Sequence, residues 1–165
     1  MRGKLIYLIA LLLLLAATLH GQFYFGKNKV QYSQFDWKIL TTTHFRVYFY
    51  EGETEIAEIA AAAAEESYAC LADKFNHHVA KKIPLIIYSA PTFFVQTNVI
   101  PALLPENVGG FTEFFKGRVV VPFNGSIADF KRVIRHELVH TFTFSKIAAT
   151  LSEHRTANYY SPPLW

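Results

Sequence analysis

The segment His136-Glu137-Leu138-Val139-His140 constrains the fold more than any other part of this chain. An α-helix places positions i and i+4 on one face, one turn apart, so a helix would bring both imidazoles to the same spot. The flanking residues predict that helix, because Ser126 followed by Asp129 is an acidic variant of the capping box at a helix start. A predicted buried stripe follows at three- and four-residue steps: Ile127, Phe130, Ile134, Leu138 and Thr141.

The side chains of this motif predict a metal site beside that stripe. Two neutral imidazoles that converge on one point supply two ligands of a tetrahedral zinc site. The glutamate between them is placed to take a proton from a water molecule held by the metal. We therefore expect Zn²⁺ as cofactor, His136 and His140 as metal ligands and Glu137 as the catalytic base. The competing interpretation is a pair of structural or solvated histidines.

The N-terminus predicts export. A charged start, Met1-Arg2-Gly3-Lys4, precedes a strongly apolar run from Leu5 to Leu19. Because a membrane-spanning helix needs about 20 apolar residues, we expect a signal peptide over residues 1–21, cleaved near Gly21-Gln22. The alternative is an uncleaved anchor that associates with the membrane through residues 5–19.

Charge and cysteine content exclude two other classes of protein. Arg2 and Lys4 supply two of the 16 basic residues against 13 acidic ones, so the rest of the chain is nearly neutral. We therefore predict no nucleic-acid surface. Cys70 is the only cysteine, which rules out an internal disulfide, and we interpret it as a small buried side chain on a helix.

The remaining sequence predicts an N-terminal arm over residues 22–35 and one α+β domain over residues 36–165. Period-2 and short apolar patterns predict five strands, with hairpins formed by the first two and the last two, at residues 35–40, 44–50, 83–88, 110–115 and 118–123. A short helix is predicted within residues 89–99, capped by Ser89 or Thr92.

A long alanine-rich helix is predicted from Glu53 to about Val79. Its expected buried stripe is Ile56, Ala60, Ala63, Ser67, Leu71 and Phe75. His77 and His78 would lie at its C-terminal end, where a surface or helix-dipole role competes with a metal role.

The element order and the motif resemble the N-terminal half of gluzincin zinc metallopeptidases, in which a mixed β-sheet packs on a long helix and on the HExxH zinc helix. The stretch from Phe25 to Trp165 resembles more closely the peptidase MA-like domain of exported bacterial proteins, which a Tol-type β-propeller often follows. The matching phrases lie at residues 25–30, 96–101, 109–113 and 135–140.

This resemblance implies a zinc-dependent metallopeptidase of the periplasm or cell envelope that acts on a peptide or protein substrate. In gluzincins the hairpin strand before the zinc helix forms the cleft edge and pairs with extended substrate. Gly110, Phe111 and Thr112 would then bind substrate, and Tyr159 or Tyr160 would stabilise the oxyanion. The alternatives are a hairpin without a binding role and tyrosines with structural roles.

The third zinc ligand is missing from the motif. A catalytic zinc normally has three protein ligands, and in gluzincins the third is a glutamate on a later helix. Thr143 and Lys146 occupy the positions where a metzincin would have glycine and histidine, so that subclass is excluded. We expect a chain truncated before its third ligand, beyond Trp165. The alternatives are Glu153 or His154, and a site that never had three ligands.

Two other functions compete with peptide hydrolysis. One is a catalytically weak or inactive gluzincin-fold module that binds a partner or acts as a scaffold in the cell envelope. The other is a membrane-anchored protein in which the HExxH segment is incidental.

Overall fold

Alternating apolar residues and two amphipathic helices form an α+β structure, as predicted. The computed structural model describes residues 32–100 and 108–154. The elements in chain order are β1 (Trp37–Thr41), β2 (Phe45–Tyr50), α1 (Thr54–Phe75), β3 (Ile83–Tyr88), α2 (Pro91–Phe94), β4 (Phe111–Glu113), β5 (Arg118–Pro122) and α3 (Ile127–His154).

The five strands form one mixed sheet in the order β1-β2-β3-β5-β4. The pairs β1–β2 and β4–β5 are antiparallel, which confirms both predicted hairpins. The pairs β2–β3 and β3–β5 are parallel, so each needs a crossover connection, and α1 provides the first. This order places β4 at one edge of the described sheet, beside α3.

The main core lies between one sheet face and the two long helices. Phe45 and Val47 of β2 point into it together with alternate residues of β3 and β5, and all are fully buried. From α3, the predicted stripe residues Phe130, Ile134, Leu138 and Thr141 are buried. Ile127 was predicted to join them but is 48% exposed, although Phe130 in the same turn is buried.

Helix α1 ends at Phe75, four residues before the predicted position. Asn76 adopts a left-handed conformation with φ of 44°, and its backbone N–H donates to the Asp73 carbonyl at 3.1 Å. This is a common way to end a helix. His77 and His78 therefore lie beyond the helix, and His77 Nε2 is 2.8 Å from Ser145 Oγ on α3.

The buried face of α1 is wider than the predicted stripe. Ala60, Ala63, Ser67 and Leu71 are buried as expected, whereas Ile56 and Phe75 are half-buried. Further buried residues flank the stripe, at Ala57, Ala61, Ala64, Tyr68 and Ala72. Cys70 lies on α1 as predicted but is half-buried rather than buried, and Arg135 Nη2 is 3.1 Å from its sulfur.

The predicted cap of α3 is confirmed in part, and the predicted cap of α2 is wrong. The Asp129 N–H donates to Ser126 Oγ at 3.3 Å, as a capping box requires, but the Ser126 N–H donates to Asn124 Oδ1. Helix α2 is capped by Ala90 without a side-chain hydrogen bond, so Ser89 and Thr92 are not its caps. The Ser89 N–H instead donates to the Tyr50 hydroxyl at 2.7 Å.

The predicted signal segment 1–21, the apolar run within it and most of the arm lie outside the described residues. Within residues 32–100 and 108–154, no helix has the length and apolar character needed to cross a membrane.

Candidate metal centre

The two motif histidines lie together on α3, at the wall of a cleft. His136 Nε2 and His140 Nε2 are 3.2 Å apart. Their ring centroids are 4.9 Å apart and the ring planes are nearly perpendicular, at 84°. The helix that carries them is fixed by the buried side chains of Ile134 and Leu138 beneath.

This separation fits two ligands of one zinc ion. With Zn–N bonds of about 2.0–2.1 Å, a tetrahedral angle places the two nitrogens about 3.3 Å apart. A direct N–H···N hydrogen bond between neutral rings would give a similar distance, with one ring protonated at Nε2. The distance between the two nitrogens is therefore compatible with a shared ion and also with a direct hydrogen bond.

Glu137 is the buried acid of the site, with only 5% of its surface exposed. Thr112 Oγ1 on β4 lies 2.9 Å from Glu137 Oε2 and 2.8 Å from the Glu137 carbonyl oxygen. The Thr112 hydroxyl thus connects the edge strand β4 to the helix α3 at Glu137 itself. This contact fixes one carboxylate oxygen relative to the cleft wall.

The pKa values of two groups in the motif are shifted in opposite directions. Burial raises the pKa of Glu137, although the hydrogen bond from Thr112 and the nearby His136 oppose the shift. Burial lowers the pKa of His140, and the charge of His136 lowers it further. A neutral imidazole is the form that binds a metal, so the shift at His140 favours the ligand form.

Gly110 allows β4 to approach the motif closely. A Cβ atom at this position would lie 3.0 Å from Val133 Cγ1, 3.1 Å from the Val120 carbonyl oxygen and 3.3 Å from Glu137 Cγ. These distances leave no room for a larger residue unless the strand or Glu137 moves. At Gly109, by contrast, the nearest atom would be Val133 Cγ2 at 3.4 Å, an ordinary contact.

The cleft has a volume of about 840 Å³ and a mainly apolar lining. The predicted substrate-binding residues Gly110, Phe111 and Thr112 all line it, as do His136, Glu137 and His140. Its remaining lining residues are Val99, Ile100, Val108, Gly109, Glu113, Phe114, Phe115, Arg132, Val133 and Phe144. The structure therefore brings the predicted metal, acid and substrate residues to a single cavity.

Phe144 and Phe114 belong to the site but were not predicted. Phe144 stacks on His140 with a centroid distance of 6.1 Å and an interplanar angle of 24°. Phe114 then packs edge-on against Phe144 at 5.0 Å. Phe144 follows His140 by four residues, so helical spacing was the available signal. No local signal connects Phe114 to this helix.

The described residues offer no third ligand beside the two motif histidines. They contain no group of three His, Cys, Asp or Glu side chains placed to hold a metal. Glu153 and His154 were alternatives, but α3 continues to His154. Glu153 therefore follows His140 by about 20 Å along one helix axis, too far to share its ion. Tyr159 and Tyr160, the predicted oxyanion residues, lie outside the described part of the chain.

Comparison of this chain with protein-family models, with curated proteins and with solved structures gave no match.

Proposed function

We propose that this protein is a zinc-dependent metallopeptidase of the gluzincin type, exported to the periplasm or cell envelope. The observation that carries the proposal is the 3.2 Å approach of His136 Nε2 and His140 Nε2 beside the buried carboxylate of Glu137. The zinc helix, the edge strand and the long helix α1 also have the relative order expected of a gluzincin N-terminal subdomain.

In this proposal the two imidazoles hold the zinc ion, and a third ligand comes from outside the described residues. Zinc, when bound, acts as a Lewis acid and lowers the pKa of water to about 7. Glu137 takes the proton of the attacking water and later gives it to the leaving amine. Thr112 holds Glu137 Oε2 at 2.9 Å, so Oε1 is the oxygen assigned to this proton transfer.

The substrate of this proposal is an extended peptide along β4. Among the described strands, β4 pairs only with β5, so its other edge presents free backbone groups toward the cleft. A peptide would add a strand there and gain main-chain hydrogen bonds, with Gly110 and Phe111 closest to the scissile bond. Tyr159 or Tyr160 remains the proposed oxyanion donor.

Zinc content and hydrolysis test this proposal in the full chain. We expect about one zinc ion per chain after purification from zinc-containing medium, by mass spectrometry of the metal. His136→Ala and His140→Ala should lose it. His78→Ala, which removes an exposed histidine outside the motif, is the matched control and should retain it.

Glu137→Gln separates metal binding from catalysis. We expect this variant to keep its zinc and to lose hydrolysis of a quenched fluorescent apolar peptide by at least about a hundredfold, the typical contribution of a general base. Hydrolysis that survives in Glu137→Gln would overturn the assigned base. Zinc that survives in both histidine variants would overturn the metal centre, and zinc without any hydrolysis would favour a binding module.

A further inference from the structure

A second groove adjoins the cleft at the tip of the β4–β5 hairpin. Its volume is about 290 Å³, and we call it the lysine groove. Its lining includes Ser145 and Ala148 of α3, Lys81 and Lys82 just before β3, and Lys116 at the hairpin tip. Its floor therefore comes from the turns of α3 that follow His140, and its sides come from the start of β3 and the hairpin tip.

The lysine groove adjoins the cleft, with which it shares three aromatic lining residues. Phe114, Phe115 and Phe144 line both cavities. Phe144 also stacks on His140, so the aromatic wall begins at the metal ligand and ends in the groove. A chain that lies in the cleft past His140 would enter the groove next.

The charge of the lysine groove has one sign. Lys81, Lys82 and Lys116 are exposed, and among the residues that the structure describes no aspartate or glutamate lines the groove. The nearest acid along the chain is Glu113, which is already paired with Arg118 Nε at 2.9 Å. The Lys82 ammonium donates to the Thr42 carbonyl, and an ammonium group has two further protons for a ligand.

We propose that the lysine groove binds acidic side chains of the same peptide that occupies the cleft. This inference rests on the proposed peptidase function, since it assigns a preference to the substrate of that site. From His140 to Ala148 the helix rises about 12 Å, the length of roughly four residues in an extended peptide. The acidic residues therefore lie about four positions from the bond next to the zinc ligands.

A peptide fits this surface better than a lipid membrane does. The lysines line a concavity beside the cleft, whereas a membrane surface would require them on a protruding face. Phe115, which lines both cavities, has 91% of its surface exposed and could also contact lipid. Anionic lipid is therefore the competing ligand, and the experiment includes it.

The test measures affinity rather than turnover. The test uses fluorescein-labelled peptides that share an apolar centre. Two of them carry a pair of aspartates about four residues before or about four residues after that centre. Two matched peptides carry serines at the same positions. Their binding to full-length Glu137→Gln protein is followed by fluorescence anisotropy. We expect one aspartate peptide to bind roughly five- to tenfold more tightly than its serine counterpart, as two partly exposed ion pairs allow. The favoured side reports the peptide direction along β4.

The controls isolate the groove from the overall charge. In Lys81→Gln/Lys82→Gln/Lys116→Gln, the gain from aspartate should fall to within about twofold, as partly exposed pairs are lost. In Lys38→Gln/Lys74→Gln/Lys131→Gln, which removes equal charge elsewhere, the gain should persist. Lys116→Gln alone at the hairpin tip gives a smaller loss, and it replaces the triple variant if circular dichroism shows misfolding. In the unmodified protein, raising the salt concentration should also reduce the gain.

Three results would overturn the proposal. The first is equal affinity for aspartate and serine peptides, and the second is a gain that the groove substitutions leave intact. The third is lysine-dependent binding to phosphatidylserine vesicles without a peptide preference. The peptidase proposal fails separately, because it depends on zinc content and hydrolysis, whereas the groove is judged by affinity in an inactive variant.

Discussion

Glu137 is an acid that the fold holds in an unfavourable environment. It is 5% exposed, and burial raises its pKa above the value of 4.5 for a free glutamate. The charged form is therefore less stable in the folded state than in the unfolded chain, and this cost is present at neutral pH. It disappears as the pH falls through the folded-state pKa, where the group becomes protonated.

Glu137→Gln should consequently stabilise the metal-free protein at pH 7. The neutral amide keeps an acceptor for Thr112 but removes the desolvated charge, so we expect the free energy of unfolding to rise by roughly 1 kcal/mol. Urea unfolding in the presence of a chelator measures this rise in the free energy of unfolding. The difference between the two proteins should shrink at acidic pH, and a variant less stable than the parent at pH 7 would contradict this account.

The interaction between Thr112 and Glu137 shows the limit of sequence reasoning at this scale. The motif spacing predicted that the two histidines and the acid lie together, because all three fall within five residues of one helix, and they do line one cleft. The resemblance assigned Thr112 to substrate, whereas its hydroxyl contacts Glu137, 25 positions further along the chain. That contact depends on the register between β4 and α3, which local spacing does not specify.

Gly110→Ala should disturb the site more than Gly109→Ala. The added methyl at position 110 would press on Val133, the Val120 carbonyl and Glu137 Cγ at 3.0–3.3 Å. We expect destabilisation of about 1–3 kcal/mol, typical of overpacking, together with reduced hydrolysis. At position 109 the change should stay within about 0.5 kcal/mol, since the nearest contact is ordinary. Chemical unfolding of both variants measures the loss in the free energy of unfolding. Equal losses at the two positions would contradict the close approach of Gly110 to its neighbours.

At the scale of elements, one carboxylate attaches the β1–β2 turn to α1. Glu65 Oε1 accepts hydrogen bonds from Thr42 Oγ1 at 2.6 Å and from the His44 N–H at 2.8 Å. Its Oε2 lies 2.6 Å from His44 Nδ1. Burial raises the pKa of Glu65, but these hydrogen bonds outweigh burial and hold it below 4.5. The sequence offered no sign of this contact, because Glu65 lies within a helix 21 residues from His44.

The contribution of Glu65 to stability should be lost in acid. Because its folded-state pKa is lowered, the stabilisation is present above pH 4.5 and is lost as the pH falls through that pKa. Glu65→Gln should cost roughly 1–2 kcal/mol at pH 7 and much less near pH 3. Glu66→Gln, an exposed neighbour on α1, is the control and should have little effect at either pH. Urea unfolding at both pH values provides the measurement, and a constant deficit for Glu65→Gln would contradict the linkage.

The types of the helices and strands were predictable, whereas the end of one helix and the exposure of one side chain were not. Apolar periodicity identified all five strands and the two long helices. The early end of α1 depends on a left-handed Asn76, a residue that also occurs within helices and so gives a weak stop signal. Ile127 continues the buried stripe in sequence, but nothing in its spacing indicated that its side chain would be about half exposed.

For the whole molecule, the sheet order decides which residues share the cleft. Both hairpins were predicted, but their placement on either side of β3 is a property of the complete sheet. Strand β5 pairs with β3 in parallel, and this brings β4 to the outer edge beside α3. The crossover between β3 and β5 has no local sequence signature, so the shape of the cleft required the structure.

Zinc should stabilise the whole fold by mass action. At a free concentration about one hundred times the Kd, a ligand that binds only the folded state adds about 2.7 kcal/mol. We expect a higher Tm in differential scanning calorimetry with Zn²⁺, and little change with Mg²⁺, which prefers oxygen ligands. His140→Ala should remove the shift and His78→Ala should keep it. An equal shift in His140→Ala would indicate zinc bound elsewhere.

The shortness of β4 has a consequence for self-association. An open sheet edge is a template on which another copy of the same chain can add a strand and begin to aggregate. Strand β4 is only three residues long, and the hairpin turn with Lys116 follows directly. A strand of three residues beside a positive charge offers few backbone hydrogen-bonding groups to a long, flat strand of another molecule. The edge that is proposed to accept a peptide is therefore a poor nucleus for fibrils.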